Sequence, residues 1–277
     1  MREIRISKGG GRYRTVYSPS RGERLRLQRL LFVLMAAERV AAEKAGTMHV
    51  AHGFVRGRSP ITCALPHIGF PVTMSFDLAD WFDSVRPEQI AQGLEAAGAD
   101  PDLAAQVCYR GAPRQGLPTS PAAANLAAVE FDRSLLVGLY VLNGAWVYTR
   151  YADDLTISLA EDSESNLLRV DDAVRHRAHD VGWRVADDKT KIQRRSAGRR
   201  VIVGVSVGDY CIKAPRRVRR RLRAALHQGH KKRQQAAGLA EWCAMKLPRA
   251  CRPLPLPVGP AGPPPVPFVG ARYLELR

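Results

Sequence analysis

The chain has 277 residues, of which 45% are hydrophobic and 25% are charged, a balance typical of a globular protein with one large core or two modest ones. Its 43 Lys and Arg against 26 Asp and Glu give a net charge of +17, which predicts attraction to a polyanion, with nucleic acid favoured over an anionic membrane. The sequence lacks an apolar run of the roughly 18–20 residues that span a membrane, a signal-peptide core and any CxxC pair among its five cysteines, so we expect a cytoplasmic protein with no membrane partner, zinc site or disulfide framework.

The first 100 residues predict a basic hairpin, a long helix, a strand and a short helix. Gly9–Gly11 gives a turn between two extended runs. Leucines at helical spacing predict a helix over about 23–44. An apolar run that contains Asp77 predicts a strand, and Pro87 and Gly98 are placed to begin and end a helix over about 87–97.

The second part of the chain mixes short strands with helices. A loop over 114–121, with two prolines and a glycine, leads into a small-residue helix from Ala122 to about Leu136, and two strand-like runs flank a tight turn at Tyr151–Asp154. Strands and helices interleave without a regular βαβ rhythm, so the predicted class is α+β. The remaining predicted elements are helices over about 101–110, 164–181, 215–235 and 238–246, strands at 183–185 and 191–193, and an apolar hairpin over 201–212 that turns at 208–209.

Three carboxylates carry the first functional hypothesis. Asp153 and Asp154 lie side by side between apolar strands, and Asp77 follows an apolar strand upstream. A lone Asp-Asp pair is most often a solvated turn, but buried adjacent carboxylates repel each other and require a cation. Three carboxylates from neighbouring strands suit two Mg²⁺ ions about 3.5–4 Å apart, as in nucleotidyl transfer. Asp80 and Asp83 are alternative ligands, although Asp77 alone follows a clear strand. We therefore predict a template-directed polymerase.

Two further segments point to nucleic acid. Small residues after the loop at 114–121 allow a base pair or a backbone to approach closely, with an ordinary helix-capping loop as the alternative. A stretch without Asp or Glu predicts a basic helix, whose density of like charges favours contact with phosphates over a solvated face. Its basic residues are Lys213, Arg216, Arg217, Arg219, Arg220, Arg221, Arg223, Lys231, Lys232 and Arg233. His52 and His67 lack metal-ligand spacing and are expected to be structural or RNA-contacting.

Four motifs in order over about 115 residues resemble the motif series of reverse transcriptases. They are the run 76–82, the run 115–121 with Asn125, the turn 151–154, and Gly182 with the run 189–192. The resemblance implies a right-hand polymerase with fingers, a palm of antiparallel sheet plus helices, and a short helical thumb. The corresponding ranges are fingers 1–75, palm 76–212 with a fingers-side insertion at about 100–121, thumb 213–247, and a proline-rich tail 248–277.

Within bacterial reverse transcriptases, several segments are similar to retron enzymes. The run 51–59 resembles their segment ahead of the palm, and the run 62–67 resembles their NAxxH element, with Cys63 where asparagine is expected. Only Gly204 is kept of their VTG element, and Ala186 replaces a usual asparagine. The chain therefore resembles a retron reverse transcriptase that departs from the pattern at these positions.

The resemblance also implies roles for the acidic residues. Asp77 and Asp153 would be the principal ligands of two Mg²⁺ ions, with Asp154 beside them and the backbone carbonyl of Leu78 completing the coordination.

Five further residues would contact the incoming nucleotide. The ring of Phe82 would act as a steric gate against a ribose 2′-OH, with a core phenylalanine as the alternative. Gln115 and Gly116 would line the nucleotide. Lys189 would approach the triphosphate and protonate the pyrophosphate leaving group, with an ordinary surface lysine as the alternative. Arg14 would hold triphosphate oxygens from the fingers, where a guanidinium suits bidentate contact.

The implied function is RNA-directed DNA polymerisation from dNTPs. A retron enzyme would copy its own structured noncoding RNA, prime from a 2′-OH in that RNA, make an RNA-linked single-stranded DNA product, and serve phage defence with an effector protein as a partner. Two alternatives stay open: another bacterial lineage of abortive-infection or diversity-generating type, and a non-catalytic RNA-binding protein on a polymerase scaffold. The three acidic positions being present argues against the second alternative.

Overall fold

The structure, a computed structural model, describes residues 1–244. The predicted proline-rich tail at 248–277 lies outside the described residues. The strands are β1 (Arg2–Gly9), β2 (Arg12–Ser18), β3 (Val72–Asp77), β4 (Trp146–Tyr151), β5 (Asp154–Leu159), β6 (Lys191–Arg194), β7 (Arg200–Ile202), β8 (Val205–Val207) and β9 (Ile212–Lys213). The helices are α1 (Arg21–Lys44), α2 (Pro60–Ala64), α3 (Trp81–Ser84), α4 (Pro87–Ala97), α5 (Leu103–Val107), α6 (Ser120–Ala127), α7 (Val129–Leu139), α8 (Glu164–Asp180), α9 (Arg216–His227) and α10 (Arg233–Cys243).

The strands of residues 1–244 form three antiparallel sheets. The hairpin of β1 and β2 is a separate two-stranded sheet. The second sheet has four strands in the order β4-β5-β3-β6, and the third has three strands in the order β7-β8-β9. The main core combines apolar residues of β3, β4 and β5 with those of α1, α4, α6, α7 and α8. Helices packed on an antiparallel sheet fit the predicted α+β class.

Local signals explain where several helices begin and end. α1 begins with a capping box, in which Ser20 and Glu23 each accept a hydrogen bond from the backbone N–H of the other. Pro87 occupies the first turn of α4, and Gly98 ends it in a left-handed conformation with φ of 79°. The bounds of α4 are the ones that the sequence predicted, whereas α1 begins two residues before its predicted start at about 23.

Other elements differ from the sequence prediction. The small-residue helix begins at Ser120 and is broken at Ala128 into α6 and α7. The apolar run 201–207 is interrupted by a two-residue turn with positive φ at both Val203 and Gly204, which makes it the hairpin β7–β8. The strand predicted at 183–185 is reduced to a bridge between Leu78 and Val185. The basic helix ends at His227, and a 3₁₀ turn connects it to α10.

None of the helices formed by residues 1–244 is both long and apolar enough to cross a membrane. The four cysteines in this part of the chain are free thiols.

Candidate active site

Backbone pairing brings the three predicted carboxylates to one end of the central sheet. β3 and β5 are neighbours, and their register sets Asp77 opposite Asp154. One residue further, the N–H of Leu78 donates to the carbonyl of Asp153 at 2.9 Å. The turn between β4 and β5 closes through Ala152, whose φ is 56°. Asp77, Asp153 and Asp154 therefore lie at the same end of the central sheet.

The pKa of Asp154 reflects its burial and the charges around it. Burial, followed by the neighbouring charges of Asp153 and Asp77, raises the pKa of Asp154 to about 6 against the lowering effect of two lysines. Lys189 places its Nζ 2.6 Å from Oδ1 of Asp77. This hydrogen bond to Asp77 raises the pKa of Lys189, so the lysine stays charged. Lys189 thus supplies a positive charge beside a site with an excess of negative charge.

The donor chemistry fits a hard divalent cation, while Asp77 is paired with Lys189. Carboxylate and carbonyl oxygens are the ligands that Mg²⁺ prefers. Within residues 1–244, however, no group of three or more His, Cys, Asp or Glu side chains is arranged to hold a metal ion. Oδ1 of Asp77 is engaged by the Lys189 ammonium, which acts as a stand-in cation. Asp77, Asp153, Asp154 and the Leu78 carbonyl therefore fit Mg²⁺ by type and by strand position.

A cavity of about 260 Å³ adjoins the acidic residues. Asp77 and Asp154 line one part of it, and Lys189 and Lys191 add positive charge. Ser75 also lines the cavity, and its buried Oγ has no hydrogen-bond partner. Carboxylates and cations thus border one space large enough for small polar groups.

Two aromatic rings pack against the ring of Phe82. Its centroid is 5.4 Å from that of Trp81, which is buried, and 6.2 Å from that of Phe54, which is about half exposed. The ring of Phe82 is itself partly buried against the main core. Packing therefore holds the ring in a fixed place while leaving part of it accessible.

Gln115 and Gly116 contact the hairpin β1–β2. The carbonyl of Gln115 accepts a 2.7 Å hydrogen bond from the N–H of Tyr17. Gly116 has φ of 101°, and a Cβ on it would lie 2.4 Å from the Tyr17 carbonyl oxygen. Only glycine satisfies both conditions. Arg14 is exposed on the same strand, β2, opposite Ile6. The loop is thereby fastened to the hairpin that carries Arg14.

The predicted nucleic-acid-binding residues are exposed to solvent. Lys213 lies on β9, which pairs with β8. α9 packs against α10, and Ala225 of α9 is buried. Trp242 of α10 packs on a second core formed mainly by β7, β8 and α2. The exposed arginines of α9 are Arg216, Arg217, Arg219, Arg220, Arg221 and Arg223.

His52 and His67 are buried and hydrogen-bonded, as expected of structural histidines. His67 is fully buried, with Nδ1 2.8 Å from Oγ of Ser158 and Nε2 2.8 Å from Oγ1 of Thr149. Burial lowers the pKa of His67 to about 3, so its ring is neutral near pH 7. His52 is also buried, with Nδ1 2.9 Å from Oγ1 of Thr62.

A buried ion pair behind the turn was missed by the sequence interpretation. Arg150 and Asp132 are each about 1% exposed, and Nη2 of Arg150 lies 2.8 Å from Oδ2 of Asp132. Tyr148 donates a 2.8 Å hydrogen bond to Oδ1 of the same carboxylate. The sequence did contain a signal for this pair, since Asp132 and Arg150 each place a charge within an apolar run, one predicted as a helix and the other as a strand. Buried charges need partners, so two such residues could have been paired.

Comparison with known proteins identifies the family. Residues 23–231 match the family model described as reverse transcriptase (RNA-dependent DNA polymerase). The chain belongs to the reverse transcriptase family. This reverse transcriptase is 35% identical over 250 residues to the retron Mx65 reverse transcriptase of Myxococcus xanthus, covering 80% of this chain and 54% of that one. It is 28% identical over 220 residues to the retron Ec86 reverse transcriptase of Escherichia coli, covering 78% and 65%. The chain thus spans about half the length of the Mx65 relative.

Solved structures establish the fold of this reverse transcriptase. Apo telomerase from Candida tropicalis, truncated from its C-terminal domain, matches with a TM-score of 0.53 at 12% identity, over 77% of this chain and 54% of that one. The foamy viral protease-reverse transcriptase in complex with double-stranded DNA matches with a TM-score of 0.51 at 13% identity, over 86% and 34%. These matches confirm the predicted right-hand polymerase fold of mixed helices and antiparallel sheet.

Proposed function

We propose that this reverse transcriptase is an active RNA-directed DNA polymerase that uses two Mg²⁺ ions. The observation that carries the proposal is the pairing of β3 with β5, which sets Asp77 opposite Asp154 and joins Leu78 to Asp153. Reverse transcriptases are generally dependent on divalent metals. When bound, the two ions supply charge neutralisation and alignment for in-line attack on the α-phosphate of a dNTP.

The residues of the chain would divide the remaining work. Asp77 and Asp153, with Asp154 beside them and the Leu78 carbonyl, would hold the ions at the sheet edge. Lys189 is charged and borders the same cavity, so it would contact the triphosphate and hold a proton for the leaving pyrophosphate. Arg14, Gln115 and Gly116 would line the nucleotide from the hairpin β1–β2 and the loop fastened to it. Catalysis in this arrangement comes from positioning and electrostatic stabilisation.

The acidic assignment is tested with single substitutions. Purified protein is given Mg²⁺, dNTPs and a primed RNA template, and incorporation is compared between the wild type, Asp153→Ala and Asp154→Ala. Loss of incorporation in both variants is expected, whereas Asp172→Ala, an exposed carboxylate on α8, serves as the control and retains activity. Unchanged incorporation in Asp153→Ala and Asp154→Ala would defeat the assignment. A wild type that binds RNA but incorporates nothing would favour the non-catalytic alternative.

Phe82 is proposed to select deoxynucleotides. Its ring is fixed by Trp81 and Phe54, so it offers a rigid surface against a 2′-OH. Phe82→Ala should raise the use of ribonucleotides relative to dNTPs, and Phe82→Tyr should retain the wild-type preference. An unchanged preference in Phe82→Ala would leave Phe82 as a core residue only.

The α9 arginines are proposed to track the template–primer duplex through its phosphates. Each phosphate contact adds to the salt dependence of binding because counterions are released. Reversing Arg216, Arg219 and Arg223 to Glu should weaken RNA binding and flatten its dependence on salt, while reversing Arg169 and Arg177 on α8 should do neither. Equal effects of the two sets would refute a specific role for α9.

The substrate is proposed to be a structured noncoding RNA of retron type. The support is the 35% identity to the retron Mx65 enzyme and the 28% identity to the retron Ec86 enzyme. The same proposal includes priming from a 2′-OH of that RNA, a role in phage defence and an effector protein as a partner. Expression of the gene with its flanking genomic DNA should yield a short single-stranded DNA linked to RNA. Polymerase activity without that product would instead favour an abortive-infection or diversity-generating lineage.

A further inference from the structure

The segment 50–53 runs along the outer edge of the sheet and ends against the acidic turn. The N–H of Arg150 donates to the carbonyl of Val50 at 2.8 Å, and the N–H of His52 donates to the carbonyl of Arg150 at 2.7 Å. At the end of this pairing, Gly53 lies against the turn so closely that a Cβ on it would be 2.4 Å from the nitrogen of Ala152. The neighbouring atoms are backbone, so a side chain at Gly53 requires the turn to move.

Buried side chains tie the same segment to the same turn. Nη1 of Arg150 donates to the carbonyl of Ala152 at 3.3 Å and to Oδ1 of Asn125 at 2.9 Å. Nδ2 of Asn125 in turn donates to the carbonyl of Gly53 at 2.9 Å. The opposite edge of the Arg150 guanidinium is held by Asp132 through three contacts of 2.8–3.1 Å. A continuous chain of hydrogen bonds therefore runs from α7 to both sides of the turn.

The turn needs such support because of its backbone conformation. Ala152 has φ of 56°, in the left-handed region that is unfavourable for a residue with a Cβ. Non-glycine residues stay in that region when the surrounding structure holds them there. The carbonyl of Ala152 is held from one side by Arg150, and its nitrogen is covered from the other side by Gly53. The residues that follow directly are Asp153 and Asp154.

We propose that Gly53, Asn125 and Arg150 are positioning residues, which fix the main chain of Ala152 and thereby the directions of the Asp153 and Asp154 carboxylates. None of the three is needed as a ligand of metal or nucleotide. The expected effect on reaction rate rests on the proposed polymerase function, whereas the effect on the turn itself does not. A displacement of about 1 Å at reacting groups can lower a rate by about 100-fold.

The first test adds a single methyl group. Gly53→Ala should lower kcat for dNTP incorporation by about 100-fold while changing the dNTP KM by less than about twofold, because the nucleotide contacts are untouched. Hydrogen–deuterium exchange should rise in peptides that cover 146–159. Gly22→Ala is the matched control, since Gly22 also has ordinary φ but has open space around its Cα, and it should change neither measurement.

A second variant covers the case in which Gly53→Ala does not fold. Asn125→Asp keeps the volume and the oxygen that accepts from Arg150, but it replaces the donor to the Gly53 carbonyl by an acceptor. We expect faster exchange at 50–54 and 146–159 and a lower kcat. The proposal would be overturned if every variant that folds showed hydrogen exchange at 146–159 equal to that of the wild type. It would also be overturned if exchange there became faster while kcat stayed unchanged. A wild type without polymerase activity would refute the proposed function alone, because the exchange measurement still decides whether these residues hold the turn.

Discussion

The ion pair of Asp132 and Arg150 offers a direct measure of what burial does to a charge interaction. α7 carries a second carboxylate two positions earlier, Glu130, which is also paired with an arginine in a two-pronged contact, Arg133 at 2.5 and 2.7 Å. The buried pair is about 1–2% exposed, whereas the side chains of Arg133 and Glu130 are 50% and 62% exposed. The two carboxylates thus lie on the same helix, while their ion pairs differ strongly in solvent access.

The neutralising substitution Asp132→Asn is expected to be strongly destabilising. It leaves the Arg150 guanidinium charged in a dry site, where breaking one partner of a buried pair costs about 3–5 kcal/mol. Burial lowers the pKa of Arg150, whereas the charge and hydrogen bonds of Asp132 together with the charges of Tyr148 and Glu38 raise it above its usual value. An arginine keeps its proton in proteins even without such a partner, so loss of a proton from Arg150 does not relieve the site in the variant. Glu130→Gln should cost less than about 1 kcal/mol, because water screens an exposed pair.

Urea unfolding at pH 7 measures both values in the same assay. The midpoint should move substantially for Asp132→Asn and little for Glu130→Gln, with the slope unchanged if both variants unfold in one step. A cost for Asp132→Asn within about 1 kcal/mol of that for Glu130→Gln would refute the reasoning, because it would mean that Arg150 finds compensation elsewhere.

Three further predictions concern residues away from the ion pair. His67 has a pKa of about 3 in the folded protein and about 6.5 in the unfolded chain, so the unfolded state binds a proton first and the free energy of unfolding falls as the pH drops below 6.5. His67→Gln should remove about 2 kcal/mol of the stability loss between pH 7.5 and pH 5, measured from urea midpoints at each pH, and a pH profile equal to that of the wild type would contradict this. For Glu38 the pH dependence of stability has the opposite sign, because burial raises the pKa of its carboxyl from 4.5 to about 7 and the free energy of unfolding therefore falls as the pH rises from 4.5 to 7. Glu38→Gln should reduce this fall by about 3 kcal/mol in the same assay, and a fall as steep as in the wild type would count against the prediction. Gly116→Ala should loosen the hairpin β1–β2 because the new Cβ would clash with the Tyr17 backbone, and hydrogen exchange at residues 2–18 should become faster. Gly57→Ala, which also has a positive φ but lies in open space, should leave that exchange unchanged. The same exchange rate at 2–18 in the two variants would show that the clash is not the cause.

The elements that the sequence predicted well are those with local signals at their ends. Pro87 and Gly98 bound α4 because each residue has a backbone conformation that suits that end of a helix. The turn at 151–154 was recognised because apolar runs on both sides fixed the hairpin. The adjacency of Asp77 to that turn followed from the expectation of one sheet, and the register of β3 with β5 bears it out.

Contacts between distant segments were not accessible in the same way. Nothing local to Arg150 names Asp132 as its partner, because the contact depends on how α7 crosses the sheet. The sequence predicts Gly116 as a loop residue that lines the nucleotide, whereas its close approach to Tyr17 depends on where the hairpin β1–β2 packs. Periodicity assigns faces to helices and strands, but it does not specify which faces meet.

The ion pair between Lys189 and Asp77 has a consequence for the order of events at the sheet edge. A divalent cation bound at Oδ1 of Asp77 would repel the Lys189 ammonium, which donates to the same oxygen, so binding of the ion would favour movement of the lysine away from the carboxylate. The displaced side chain is about half exposed and faces a cavity, where an arriving polyphosphate offers it a new anionic neighbour. Cation loading and substrate arrival would then favour each other, with one lysine exchanging between two anions.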